Sequence, residues 1–111
     1  TYIVEGPIDS MFLPNCLAVA GGDLQSINVD KKRCVLIFDN EPRNEHTVKK
    51  LMKAISDKWS VVIWPKRKKF KDINDLIISG LSPDEILEMI NKNTMKGLEA
   101  DWAARKWRNV Q

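Results

Sequence analysis

The chain has 111 residues, which is enough for one domain with a single hydrophobic core. Hydrophobic residues make up 43% of the chain and charged residues 30%, a balance that excludes a disordered protein. With 18 Lys and Arg against 15 Asp and Glu, the net charge is only +3. No apolar run approaches the roughly 18 residues of a membrane helix, and the N-terminus has no signal pattern. We therefore expect a cytoplasmic protein, and the start at Thr1 indicates a fragment of a longer one.

The two cysteines, Cys16 and Cys34, indicate a reducing compartment. They are too few and too far apart for a disulfide scaffold or for a zinc site with CxxC spacing. Each lies in or beside a short apolar run, CLAVA in one case and CVLIF in the other. We expect both to be small buried side chains.

The first third of the chain predicts three strands and one helix. Residues 2–4, 17–20 and 35–38 are short apolar runs, which are typical of buried strands. The first run ends at Glu5, and Pro7 then suits the first turn of a helix. The apolar positions of that helix, at helical spacing, are Ile8, Met11 and Phe12.

The rest of the chain predicts further helices around one more strand. A helix begins near Glu45, and residues 61–64 form another buried strand. Residues 82–85 read SPDE, the pattern of a capping box with proline at the first helical position. A last helix spans about residues 94–109. Its two tryptophans, Trp102 and Trp107, suit either the core or stacking on nucleic-acid bases.

Apolar strands that alternate with helices predict a parallel sheet covered on both faces. We expect the order strand–helix–strand–strand–helix–strand, followed by helices, in an α/β fold with about four mainly parallel strands. Right-handed crossovers bring the carboxyl ends of parallel strands to one edge, where open α/β sheets bind their ligands. The residues that follow each strand are therefore the candidates for function.

Carboxylates follow two of the predicted strands at this edge. Glu5 follows the first strand, and Asp39 and Glu41 follow the third. Two carboxylates within about 5 Å repel by roughly 3 kcal/mol at an effective dielectric constant near 20, so such a cluster needs protons or a cation. Oxygen ligands without His or Cys nearby favour Mg²⁺ or Mn²⁺. The alternative is that these acids form turns or cap helices.

A basic segment follows the fourth predicted strand. Its five cations, within positions 66–71, are Lys66, Arg67, Lys68, Lys69 and Lys71. Beside a metal site, such a segment suits a nucleic-acid backbone or a triphosphate. The alternative is a solvated loop.

Three short segments follow the motif order of one known family. Residues 4–9 read VEGPID, residues 35–41 read VLIFDNE and residues 71–75 read KDIND. They resemble the EGxxD motif, the strand ending in DxD and the KDxND segment of the Toprim domain family, most closely in phage-type DNA primases. The resemblance covers about residues 2–80 and implies a Rossmann-like Toprim core over residues 1–80. Residues 81–111 would be a helical extension of the same domain.

The resemblance implies roles for individual residues. Glu5, Asp39 and Glu41 would be the catalytic residues and the metal ligands. Glu41 stands where the family usually has Asp, and its extra methylene moves the carboxylate by about 1.5 Å. This departure implies a ligand acting through water, or a site with one ion where relatives hold two. The residues that would support the site without touching the metal are Asp9, Asp72 and Asp75. The alternative for Asp9 is that it complements a helix dipole. The alternatives for Asp72 and Asp75 are that they cap a helix or order the basic segment.

The resemblance implies a DNA primase, which makes RNA primers on single-stranded DNA by Mg²⁺-dependent nucleotidyl transfer. Its substrates would be the template and nucleoside triphosphates, its partner a replicative helicase, and its compartment the bacterial host cytoplasm. Without a zinc module and the second half of the catalytic core, the fragment would bind metal but polymerise poorly. The alternatives are a Toprim nuclease and a docking module for nucleic acid or protein. A topoisomerase fits less well, because the only tyrosine, Tyr2, lies in the first predicted strand.

Overall fold

The structure, a computed structural model, describes residues 2–4, 16–18, 31–65 and 70–108. Five short strands in these segments are β1 (Tyr2–Val4), β2 (Cys16–Ala18), β3 (Val35–Ile37), β4 (Ser60–Val62) and β5 (Thr94–Met95). They form one sheet in the order β2-β1-β3-β4-β5. The first four strands run parallel to one another, and β5 runs antiparallel to β4. The predicted α/β fold with a mainly parallel sheet is confirmed.

Helices cover both faces of this sheet. In the described part of the chain they are α1 (Glu45–Ser56), α2 (Ile73–Ile78), α3 (Pro83–Lys92) and α4 (Gly97–Arg108), with a 3₁₀ turn at Lys31–Arg33. None of the described helices is both long and apolar enough to cross a bilayer. The helix predicted after Pro7 lies outside the described residues.

The starts of α1 and α3 follow from their capping residues. The Asn44 side chain accepts hydrogen bonds from the backbone N–H groups of His46 and Thr47, which would otherwise lack partners. Ser82 and Glu85 form a reciprocal capping box at the start of α3. The predicted starts of both helices are confirmed.

Alternation along the strands divides the core between two faces of the sheet. Successive strand residues point to opposite faces, so β1, β3 and β4 each contribute to the hydrophobic clusters on both faces of the sheet. The residues packed with α1 and α4 include Ile3, Leu36 and Val61, and those packed with α2 and α3 include Val4, Ile37 and Val62. Each such buried side chain contributes about 1.5–3 kcal/mol of hydrophobic stabilisation. Double-sided burial explains why these strands are apolar throughout.

The two helices beyond residue 80 contribute to the hydrophobic clusters on opposite faces of the sheet. Ile86 and Ile90 of α3 are fully buried on one face of the sheet, and Ala100 and Ala104 of α4 are fully buried on the other. Both helices therefore help to cover the same sheet. The division into a core of residues 1–80 and an extension of residues 81–111 stays a prediction.

The predicted start of the last helix at residue 94 is wrong. Thr94 and Met95 instead form β5, paired with Val62 and Val61 of β4. The helix begins at Gly97, whose φ of +65° lies in the left-handed region that glycine adopts most easily. A two-residue strand has no alternating pattern to detect, so the helical spacing of the flanking apolar residues concealed it. The short strand covers the outer edge of β4.

Candidate active site

The carboxyl ends of β1, β3 and β4 lie side by side at one edge of the sheet. Val4 of β1 is in register with Ile37 of β3, and Leu36 of β3 is in register with Val61 of β4. The chain continues from β3 through Phe38 into the loop of residues 39–41, which we call the acidic loop. The residues after each of these strands therefore start from neighbouring positions, as the topology predicts.

Asp39 and Glu41 are both half-buried in the acidic loop. The loop turns tightly, since the Glu41 backbone N–H donates to the Asp39 carbonyl over 2.9 Å. The Glu41 carboxylate accepts a hydrogen bond of 3.3 Å from the Asn44 side-chain amide, which caps α1. This contact places the Glu41 side chain beside the start of α1.

Asn40, between the two acids, joins three separate parts of the chain. Its side-chain amide donates to the Phe70 carbonyl over 2.9 Å, and its backbone N–H donates to the Lys71 carbonyl. Its side-chain oxygen accepts a 2.8 Å hydrogen bond from the indole N–H of Trp107 on α4. The acidic loop is thereby attached both to the end of the basic segment and to the last helix.

Asn40 is a site residue that was not predicted from the sequence. Its side-chain partners lie 30 and 67 residues away, so no local spacing reveals them. The available signal was an uncharged amide placed between two carboxylates directly after a buried strand. An amide there can donate and accept at once, which a carboxylate cannot do.

Two aromatic residues after β4, Trp64 and Phe70, pack together beside the end of β3. The Trp64 indole N–H donates to the Phe38 carbonyl over 2.8 Å, at the end of β3. The Phe70 ring meets Trp64 edge to face, with ring centroids 4.9 Å apart. These contacts and those of Asn40 hold residues 70 and 71 against the acidic loop.

Asp72 and Asp75 order the chain next to Lys71. Asp72 caps α2 by accepting from the Asp75 backbone N–H over 2.9 Å. The Asp75 carboxylate accepts from the Lys71 backbone N–H over 3.0 Å. These are the capping and ordering contacts that the sequence analysis gave as alternatives for both residues. Lys71 thus lies in a fixed segment beside the acidic loop.

The remaining predicted site residues lie outside the described residues: Glu5, Asp9, Lys66, Arg67, Lys68 and Lys69. Within the described segments, no group of three or more His, Cys, Asp or Glu side chains is arranged to hold a metal ion. Asp39 and Glu41 supply two carboxylates of the predicted ligand set, and the Asn40 side chain is engaged elsewhere. Carboxylate oxygens are the donors that Mg²⁺ prefers, so these two residues fit the proposed ion in kind.

The two tryptophans of α4 have different environments. Trp107 is buried in the core, with 4% of its surface exposed. Trp102 is 64% exposed, and the Lys106 ammonium lies 3.6 Å from its ring centroid in a cation–π contact. Trp107 is therefore a core residue, whereas Trp102 belongs to the surface.

Comparison with known proteins finds similarity to a DNA primase. It is 38% identical over 112 aligned residues to the DNA primase of Enterobacteria phage T4. The match covers 98% of this chain and 33% of that protein. The chain is related to a phage DNA primase. It spans about a third of that relative's length, and no protein-family model matches it.

Replacing Asn40 should reveal the coupling between the acidic loop and α4. Asn40→Asp keeps the acceptor for Trp107 but puts an oxygen where the donor to the Phe70 carbonyl stood. We expect the free energy of unfolding to fall by about 1–3 kcal/mol, because one partner is lost and like charges accumulate. Urea denaturation of Asn40→Asp measures this loss. A cycle of Asn40→Ala, Trp107→Phe and the double variant measures the coupling to α4, because alanine removes the acceptor for the Trp107 indole.

Asn91→Asp is the matched control for this experiment. Asn91 is exposed on α3, and its side-chain oxygen accepts from the Tyr2 hydroxyl, a bond that aspartate can keep. We expect this control to change stability by about 0.5 kcal/mol or less. Equal losses in Asn40→Asp and Asn91→Asp, or an absence of coupling between Asn40 and Trp107, would contradict the role assigned to Asn40.

Proposed function

We propose that the chain is the Toprim catalytic domain of a DNA primase, which synthesises RNA primers on single-stranded DNA. The observation that carries the proposal is the 38% identity to the phage T4 DNA primase across 98% of the chain. The acidic loop at the carboxyl edge of the parallel sheet supports it, because that edge is where such folds place their ligands.

In this proposal Glu5, Asp39 and Glu41 hold Mg²⁺ or Mn²⁺. An ion held by these carboxylates would supply charge neutralisation for a triphosphate during nucleotidyl transfer. Asp39 and Glu41 keep their positions through the tight turn of the acidic loop and the contact of Glu41 with Asn44. Asp9 is proposed to support the ligands without touching the metal.

The basic segment is proposed to attract phosphate groups. Lys71 lies beside the acidic loop, held there by the bonds between Asn40 and residues 70 and 71. Its fixed neighbours Asp72 and Asp75 keep this end of the segment in place. A cation next to a carboxylate–metal cluster balances the charge of an incoming triphosphate. We propose the same role for Lys66, Arg67, Lys68 and Lys69.

The chain spans a third of its relative's length. Primase activity is therefore proposed for a longer protein that contains this chain. We infer that the isolated chain binds metal but polymerises poorly, and that template, nucleoside triphosphates and a replicative helicase are partners of the complete enzyme. Its proposed compartment is the cytoplasm of a bacterial host.

A chimeric enzyme tests the proposal. In it, the 111-residue chain replaces the matching third of the phage T4 primase, and ribonucleotide incorporation on single-stranded DNA is measured. We expect template-dependent RNA products with Mg²⁺, loss of the products with EDTA, and recovery after Mg²⁺ is restored. A folded chimera that cleaves the template without making RNA would favour the nuclease alternative, and one inactive in both assays would favour a docking module.

A further inference from the structure

The outward face of α4 carries two exposed apolar side chains. Leu98 is 88% exposed and Trp102 is 64% exposed, and the two lie four residues apart, so they share one face of the helix. The opposite face of α4 is buried in the core through Ala100, Ala104 and Trp107. A surface helix normally turns polar residues outward, so α4 departs from that pattern. Large apolar side chains gathered on one exposed face are typical of an interaction surface.

Opposite charges lie on either side of the exposed indole. Glu99 precedes Trp102 by three residues, and Lys106 follows it by four. Because residues seven apart in a helix lie on the same side, two turns apart, both charges border the apolar residues along one side. Both are exposed, and in the part of the chain that the structure describes neither belongs to an ion pair, whereas Arg105 is paired with Asp101 over 3.0 Å. The face therefore has an unpaired acid towards the start of the helix and an unpaired base towards its end.

We propose that this face binds the same face of a second copy of the chain, with the two α4 helices antiparallel. A two-fold axis beside Trp102 brings Glu99 of each copy to the level of Lys106 of the other, because the two residues are nearly equidistant from Trp102 along the helix. The Leu98 and Trp102 side chains of both copies then come together at the centre of the interface. Such a contact buries the exposed apolar surface and pairs the charges that border it.

A second copy fits this face better than a nucleic-acid strand or an acidic peptide. Either of those ligands would match Lys106 but would place negative charge against Glu99. A reversed copy of the same helix matches both charges, since each copy supplies the acid that the other lacks. The Lys106 ammonium already lies 3.6 Å from the Trp102 ring centroid, and a cation–π contact strengthens when water is excluded from it. The face is therefore complementary to itself in the antiparallel orientation.

The size of the face predicts a weak dimer. α4 has 12 residues and is about 18 Å long, so one pair of these helices buries less than the roughly 800 Å² per partner of a standard interface. We expect a dissociation constant of about 10–100 µM. Association of this kind needs neither metal nor substrate, so the inference is independent of the proposed function.

Charge reversal in separate copies tests the orientation. Self-association of the 111-residue chain is measured by analytical ultracentrifugation over a range of concentrations. Glu99→Lys and Lys106→Glu should each weaken it at least about fivefold, because each substitution places like charges opposite each other at two symmetric contacts. An equimolar mixture of the two variants should associate as well as the unmodified chain, since both contacts again join opposite charges. Lys92→Glu is the control, because Lys92 is an exposed lysine on α3, at the opposite face of the sheet.

Trp102 reports the location of the contact. The chain has four tryptophans, and the other three, Trp59, Trp64 and Trp107, are buried. Quenching of tryptophan fluorescence by acrylamide should therefore decrease as the protein concentration rises. Trp102→Ala should weaken self-association at least about a hundredfold, because an aromatic side chain at the centre of an interface is typical of a binding hot spot and the two-fold axis doubles its loss.

Three results would overturn the proposal. The first is a chain that stays monomeric up to about 1 mM. The second is a mixture of the two charge variants that associates no better than either variant alone. The third is equal weakening by Lys106→Glu and Lys92→Glu, which indicates a general effect of net charge. If the chain is monomeric and oligo(dT) protects Trp102 from acrylamide, the face binds a nucleic-acid strand instead.

Discussion

Replacing Asp39 with Asn should lower primer synthesis by the chimeric enzyme at least about a hundredfold, since even residues that only orient metal ligands commonly cost 10–100-fold when replaced. The substitution keeps the size of the side chain and removes its negative charge. Asp39 follows the buried Phe38 at the end of β3 and is itself half-buried, so its position is set by the sheet. Loss of the charge therefore acts on metal affinity more than on the fold.

Asp84→Asn is the control for this prediction. Asp84 is an exposed carboxylate in the first turn of α3, on an element that does not form the acidic loop. Its replacement removes the same charge and should leave primer synthesis nearly unchanged. Equal activity of the Asp39→Asn and wild-type chimeras, with intact folding by circular dichroism, would contradict the assignment of Asp39 as a metal ligand.

Trp107→Ala should lower the free energy of unfolding of the chain by about 3–5 kcal/mol. Trp107 is 4% exposed and packs in the core between α4, α1 and the sheet. Its indole N–H also donates to Asn40, so truncation both opens a cavity and releases the acidic loop from α4. Chemical denaturation of the purified variants measures the loss.

Trp102→Ala supplies a matched control on the same helix. Trp102 is 64% exposed, and its described contact is the cation–π interaction with Lys106. Removing it should change stability by about 1 kcal/mol or less. A Trp102→Ala variant that is as unstable as Trp107→Ala would show that the structure places the two rings wrongly.

The sheet was predictable because each parallel strand is apolar on both faces. A strand with one face in solvent alternates apolar and polar residues, whereas residues 35–38 are all apolar. Helical spacing of apolar residues between the strands indicated the helices that cover the sheet. The capping residues of α1 and α3 were equally local signals. β5 was not predictable, because Thr94 and Met95 are defined by pairing with β4 and have no pattern of their own.

Only those site residues that directly follow a strand were predictable. The topology placed Asp39 and Glu41 at the edge, and the adjacency of Lys71 followed from β3 and β4 being neighbours. The role of Asn40 depends on partners far along the chain, which one sequence cannot reveal.

Titration of the 111-residue chain with Mg²⁺, followed by amide NMR, tests the proposed metal site at the acidic loop. The same titration of Asp39→Asn is the comparison. We expect saturable shifts centred on residues 39–41 and on Glu5 in the unmodified chain, and loss of these shifts in the variant. Scattered or unsaturable shifts, or the same shifts in both proteins, would contradict a metal site at the acidic loop.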